Sequence, residues 1–403
     1  MKKILSIVIA LTIILSVAIP MTAGAASVAK VSSVVQTSAD TTSVVVQVEA
    51  VLGASKYSFE MSDNGGSYTE VSTSYDPNEK TIYSLAAGKT YFLRVRAMKG
   101  TEYGPYSDPI KVATVPNDVT NLRQTDATTS SATFKWDKVS GATGYRICEW
   151  VNDQEYVVGT TSSDSYTIKG LNNKIKFPYT VYVRPVRTAD GYTAEKTASY
   201  SWSNAHISDY NIMLIPKAPS VQVTNYWSNI KEISASVKAE IPFAKGYQYV
   251  IYNNKGKKIN TLTNTSIYSV YAKNLSRNQF YSIKARAYTN IGNNKTAKYG
   301  KWSKEFQFAL GTQLSAKPGY KKIALSWNKV KGAKDYTVYI SKSKNTGYKK
   351  TATVKGTSFT AKKIGKKALK SGKMYYCYVV ANKKVGKKTY HSSGNDVWYA
   401  KTT

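Results

Sequence analysis

Four times along the chain, three short runs of alternating apolar and polar residues follow one another in the same order. Near the C-terminus they read Leu325-Ser-Trp327, then Tyr336-Thr-Val338-Tyr-Ile340, then Met374-Tyr375-Tyr-Cys377-Tyr-Val379-Val-Ala381. A period of two sends successive side chains to opposite faces of an extended backbone, so each run predicts an antiparallel strand with one face buried. The earlier sets are Val44, Val46, Val48 with Tyr57, Phe59, Met61 and Tyr91, Leu93, Val95; Ala132, Phe134, Trp136 with Tyr145, Ile147 and Tyr179, Val181, Val183; and Ile233, Ala235, Val237 with Tyr247, Tyr249, Ile251 and Tyr281, Ile283, Ala285. The tyrosine that opens each third run, at 91, 179, 281 and 375, recurs at intervals of 88, 102 and 94 residues. That interval is about one sandwich domain. The fold expected is all-β: a tandem array of four β-sandwiches, with repeat one at 27–114, repeat two at 115–216, repeat three at 217–310 and repeat four at 311–403.

A chain of 403 residues exceeds what one hydrophobic core usually serves, which fits four small cores. The joints fall where the strand pattern lapses and Pro or Gly appears, around Val115-Pro116, Ile215-Pro216 and Leu310-Gly311. They are short, so neighbouring modules are expected to touch end to end. Ahead of the repeats, Met1-Lys-Lys, an apolar run from Ile4 to Met21 and Ala23-Gly-Ala25 read as a signal peptide over 1–25. The rival is a retained membrane anchor, against which Pro20 and the small residues after it weigh. No membrane span is expected in the mature chain, which is placed outside the cytoplasm, secreted or associated with the cell wall. The two cysteines, Cys148 and Cys377, fall in different repeats, so both are expected to be free thiols. Alternation puts Cys377 in the core register and Cys148, one residue past Ile147, on the outward face.

Beyond the strand pattern, the residues resemble the fibronectin type III domain, an immunoglobulin-like sandwich, over nearly all of the mature chain. The likeness lies in a Trp ending the second strand (Trp136, Trp327), a Tyr opening the third (Tyr57, Tyr145, Tyr247, Tyr336), and Leu85-Ala-Ala-Gly88-Lys-Thr-Tyr91 and Leu369-Lys-Ser-Gly372-Lys-Met-Tyr375 leading into the sixth. Tyr103-Gly-Pro-Tyr106-Ser107 and Tyr299-Gly-Lys-Trp302-Ser303 are similar to the family's approach to its last strand. The resemblance implies a tyrosine corner, in which the hydroxyl of Tyr91 or Tyr375 bonds back to the chain just upstream. Repeats one and three depart from the pattern with Val48 and Val237 at the Trp position. Repeat two reaches Tyr179 through Phe177-Pro178, and repeat four ends on His391-Ser-Ser-Gly-Asn-Asp-Val-Trp398.

Catalysis is not expected. His206 and His391 stand in different repeats, and the chain carries no Gly-Lys-Ser/Thr phosphate loop, His-Glu-x-x-His or Gly-x-Ser-x-Gly. Neither a metal nor a cofactor is implied, and Asp63-Asn64-Gly65-Gly66 reads as a turn rather than a calcium loop. Trp150, Trp227 and Trp398 lie outside the core registers. They are candidates for stacking on a glycan, the alternative being that they cover module edges.

Charge is the most uneven property of the sequence. Repeat one has 8 Lys and Arg against 9 Asp and Glu, and repeat two has 10 against 10; repeat three has 15 against 3, and repeat four 22 against 2, all 22 being Lys. Two modules thus carry +32 of a net +33. Such self-repulsion makes sense beside a polyanion. Lys without Arg suits diffuse attraction to many anionic groups rather than bidentate recognition of one. The plainer alternative, that lysine only keeps an exported protein soluble, leaves the balance of repeats one and two unexplained. The densest blocks are Lys362-Lys363 with Lys366-Lys367, just before the tyrosine-corner strand, and Lys383-Lys384 with Lys387-Lys388, in a turn free to face a partner. The chain is therefore expected to be an exported bacterial protein, monomeric and non-catalytic, that binds or spaces. Its lysine-rich repeats would attach to an anionic wall or matrix polymer, with the first two repeats outward. A glycan-binding adhesin using exposed aromatics, or a protein ligand, is the alternative. No nucleic-acid-reading module is visible.

Overall fold

A computed structural model of the protein describes residues 28–151, 154–171, 180–196, 210–265, 269–292, 296–394 and 396–403. Residues 1–25, expected to be a signal peptide, and Phe177-Pro178, Tyr179 and His206 lie outside the described residues. Every repeat is built the same way, from a three-stranded antiparallel sheet and a five-stranded one. In repeat four the first sheet runs Leu314–Gly319, Lys322–Trp327, Ser358–Ala361. The second runs Lys349–Val354, Asp335–Ser341, Met374–Val385, Lys388–His391, with Trp398–Lys401 pairing farther along Met374–Val385.

Alternating residues from the two sheets meet in a separate apolar core for each repeat. Valines, isoleucines and aromatics favour this pleated, half-buried surface because their branched or flat side chains pack against cross-strand neighbours. Trp136 and Trp327 are buried and sit 5.2 and 5.6 Å from the rings of Tyr145 and Tyr336. The tyrosine opening the third strand does one job in all four repeats: the hydroxyls of Tyr57, Tyr145, Tyr247 and Tyr336 accept the backbone N–H six residues upstream, at 2.8–3.0 Å. The tyrosine corner is present where the chain is described: Tyr91, Tyr281 and Tyr375 accept the N–H of Ala86, Ser276 and Lys370 at 2.8, 2.7 and 2.9 Å. Both hydroxyls satisfy donors that would otherwise be lost to water inside the module.

The two thiols are free. Cys377 sits in the core of repeat four, as its register requires. Cys148 corrects the expectation: it is fully buried. It does lie outside the core cluster, but the ladder to the next strand shifts between Ile147 and Cys148, and the Arg184–Glu155 ion pair covers it. The Arg184 guanidinium lies 3.7 Å from its sulfur. Alternation decides which face a side chain takes, and the neighbours on that face decide whether water reaches it. Burial pushes the Cys148 thiol up to about 11 and the Cys377 thiol to about 12.

The chain divides into two compact units, Met1–Asn117 with Val186–Lys196, and Asp118–Pro185 with Thr197–Thr403. In the first, the hairpin of 186–196 seals the end of repeat one: Ala189 and Ala194 pack with Ala113 and Val115, and Asp190 accepts the Lys111 N–H at 2.6 Å. Within the second unit, repeats three and four share a tight joint. Phe280 of repeat three is buried in the core of repeat four. Its N–H bonds to the Lys331 carbonyl, and the Lys331 N–H to that of Asn278. The Arg277 guanidinium, at one point, donates to the carbonyls of Gly311 and Thr312 at 2.9 and 2.6 Å and to Asp396 at 2.6 Å. Gly311 leaves room for this ion pair, because a Cβ at this position would overlap the Asp396 carboxylate.

Candidate functional site

The first lysine block lies on a small hairpin at the edge of the five-stranded sheet of repeat four. Lys363-Ile364 pairs with Lys367-Ala368 around Gly365, whose φ of 56° provides the left-handed residue of the turn. Lys362, Lys363, Lys366 and Lys367 are all exposed, and the turn lies beside Lys349 of the edge strand. Repeat four has only two carboxylates, and both are used internally: Asp335 accepts from Asn382 at 2.6 Å, and Asp396 from Arg277. Among the described residues no lysine of repeat four forms an ion pair, and two carboxylates offset little of the charge of 22 lysines.

The second block is split, which corrects the picture of a free turn. The strand Met374–Val385 and the strand Lys388–His391 form a hairpin that folds back on repeat three. Lys383 is half-buried, its Nζ donating to Gln307 at 2.7 Å and lying 5.8 Å from the centre of the Phe280 ring. Burial lowers its ammonium pKa from the ordinary value, with the Glu305 charge opposing. Lys388 lies over Tyr390 and Phe306, at 4.7 and 5.9 Å. Lys384 and Lys387 alone remain exposed and without such a contact.

The tryptophans are not gathered into one site. Trp227 is half-buried and stacked on Tyr271 at 6.1 Å in repeat three, and Trp398 is exposed on the last strand of repeat four. Trp150 belongs to the strand Gly144–Val151 of repeat two, and its side chain lies outside the described residues.

Sequence reasoning missed the aromatic arrays on the outer faces of the five-stranded sheets. In repeat one, guanidinium and phenol alternate: Arg94 lies 4.1 Å from the Tyr68 ring centre and 3.8 Å from that of Tyr106, and Arg96 lies 4.6 Å from Tyr106 and 3.9 Å from Tyr103. Glu60 anchors the stack through Arg94, Arg96 and the Tyr106 hydroxyl. Burial alone would raise its carboxyl, but the hydrogen bonds from Tyr106 and Arg94 and the charges of Arg94 and Arg96 hold it below the usual range. In repeat three Arg286 sits between Tyr299 and Trp302, at 3.8 and 4.5 Å. These are cation–π contacts, in which the cation occupies the ring's electron-rich face.

Repeat four differs. The position matching Arg96 and Arg286 in the ladder is Val380, and Asn382, two residues on, is bonded to Asp335, Thr337 and His391. Along the same face stand tyrosines. Tyr339 and Tyr378 are cross-strand partners stacked at 4.8 Å and 17°, Tyr348 lies 4.8 Å from Tyr378, and Tyr376 lies 6.5 Å from its partner Tyr399. Among the described residues no cation covers any of these five rings. The signal was present in Met374-Tyr375-Tyr-Cys377-Tyr, whose off-core positions 376 and 378 are both aromatic.

Among the described residues no three His, Cys, Asp or Glu side chains gather as a metal site, and no helix is long and apolar enough to cross a membrane.

No family model matches the sequence. It is 28% identical over 218 residues to a Kelch domain-containing protein of Sulfurisphaera tokodaii, covering 52% of this chain and 26% of that protein. It is 24% identical over 141 residues to fibronectin type III domain-containing protein 1 of Margaritifera margaritifera, covering 32% and 19%. The chain thus spans about a quarter and a fifth of these relatives' lengths. Among solved structures it is similar to the chicken CNTN1 FN1–FN3 domains, at 17% identity and TM-score 0.26, with 70% of this chain and 98% of that one covered. A two-domain fibronectin type III segment of chicken tenascin matches at 18% and 0.24, over 42% and 99%. Scores so low carry no weight beside the strand topology itself. With three strands facing five and a tyrosine corner in each repeat where that tyrosine is described, the domains are fibronectin type III-like in fold.

Proposed function

We propose that this is a non-catalytic, exported binding or spacer protein, whose lysine-rich C-terminal repeats attach electrostatically to anionic polymers of a cell wall or extracellular matrix. The first two repeats, with balanced charge, are the part presented outward. Fibronectin type III-like domains commonly serve as binding or spacer modules. The observation that carries the reading is the charge of repeat four: 22 lysines face two carboxylates, and both carboxylates are already engaged inside the protein. A field of that sign over one module attracts and concentrates polyanions.

The first lysine block is the natural contact, being exposed and clear of the joint. In the full chain, replacing Lys362, Lys363, Lys366 and Lys367 with Gln is expected to weaken binding to inorganic polyphosphate. It should also flatten the fall of log affinity with log salt in proportion to the charge removed, because each neutralised phosphate releases counterions. Replacing Lys384 and Lys387 is expected to act in the same direction more weakly. Binding that is equally strong at low and high salt would reject the electrostatic reading.

A further inference from the structure

The outer sheet face of repeat four is the one place among the described residues where several aromatic rings line up with no cation over them. On the corresponding face of repeats one and three, the ring faces are taken by Arg94, Arg96 and Arg286. Repeat four has no arginine at all. Tyr399 is 66% exposed, and Tyr339, Tyr348, Tyr376 and Tyr378 are half-buried, held in place by cross-strand pairing so that little freedom remains to be lost when a ligand arrives. The Tyr348 hydroxyl is fixed on the Lys344 carbonyl at 2.7 Å.

The surroundings are cationic. Lys350 is opposite Tyr339 in the ladder, Lys401 is two residues beyond Tyr399 and opposite Met374, and both are exposed. Lys349 on the same edge strand adjoins the exposed hairpin of Lys363 and Lys367. The nearer carboxylate, Asp335, is held by Asn382.

We infer that this tyrosine face is a stacking platform for an anionic polysaccharide: the apolar faces of the sugar rings lie on Tyr376, Tyr399 and the Tyr339–Tyr378 pair, and the sugar acids meet Lys350, Lys401 and the lysine hairpin. The inference rests on the electrostatic reading above for its lysines and adds the sugar to it. Tyrosine suits such a ligand because its ring is apolar while its hydroxyl can bond to sugar hydroxyls. Lysine without arginine matches scattered carboxylates or sulfates better than the bidentate phosphate contacts that nucleic acid invites.

The test uses the full chain with three probes: polygalacturonate, which has sugar rings and charge; inorganic polyphosphate, which has charge alone; and oligothymidylate. The double variant Tyr376→Ala, Tyr399→Ala is expected to bind polygalacturonate roughly tenfold more weakly, the effect of losing about 1.4 kcal/mol of ring contact, with polyphosphate binding unchanged. The matching pair of Phe substitutions should keep most of the affinity. Tyr399→Ala alone, at an exposed ring, provides the readout if the double variant melts early. Unchanged polygalacturonate binding overturns the platform and leaves the electrostatic reading standing. Wild-type protein that binds polygalacturonate through its tyrosines but ignores polyphosphate supports the platform and removes the electrostatic reading. Tighter, tyrosine-dependent binding of oligothymidylate would assign the face to single-stranded nucleic acid and overturn the inference.

Discussion

A single hydroxyl carries much of the local order in each repeat. The phenol of Tyr375 is buried, yet its oxygen accepts the Lys370 N–H, closing the turn that delivers the chain to the longest strand. Tyr375→Phe keeps the ring and strands that donor, at an expected cost of about 1–3 kcal/mol to repeat four, read as a shift in the urea midpoint with little change in slope. The turn motif at a fixed spacing made Tyr91 and Tyr375 legible, and the repeat interval and strand alternation made Tyr281 so. The second tyrosine device, in which Tyr57, Tyr145, Tyr247 and Tyr336 each reach six residues upstream, was visible only as an aromatic at a strand start. Its partner is a backbone amide, and backbone amides leave no mark in a sequence.

Strands show where pattern reading succeeds and where it stops. Period two assigned Cys377 to the core and Cys148 to the opposite face, and both assignments of face hold. Exposure was lost at Cys148 because the Arg184–Glu155 pair that covers it comes from two other strands, at ladder positions set by the shift after Ile147. Neither thiol is therefore expected to react with a polar thiol reagent at neutral pH until the protein unfolds, a result that intact mass after timed labelling would give directly. Both thiols ionise later in the folded state than in the unfolded chain. The stability they contribute is fully present below about pH 9, the ordinary thiol value, and is lost as pH rises toward 11 at Cys148 and 12 at Cys377. The tyrosine face was overlooked for a related reason. Reading for a core discards the off-register positions, and 339, 376 and 378 are of that kind.

At the scale of the molecule, four cores and their order were readable from spacing, while the joints were not. Short linkers predict contact without saying which groups make it, and Lys383, expected to face a partner, instead faces Gln307 and Phe280. The joint changes what an unfolding experiment should show. Trp327→Ala removes a large buried ring at an expected cost of roughly 3–5 kcal/mol. Because Phe280 of repeat three completes the core of repeat four, the calorimetric transitions of repeats three and four are expected to fall together in this variant, while that of repeat one stays in place. Independent loss of repeat four alone would contradict that coupling.

The hairpin of Met374–Val385 and Lys388–His391 has a direction. It grows from the later repeat and settles on the earlier one, as the hairpin of 186–196 does at the end of repeat one. The fastening has two halves, because the earlier repeat supplies Gln307 and Phe306 to receive the hairpin. Repeat three meets its successor through Phe280 and Arg277, so an upstream insertion would have to recreate those two side chains to be held as firmly.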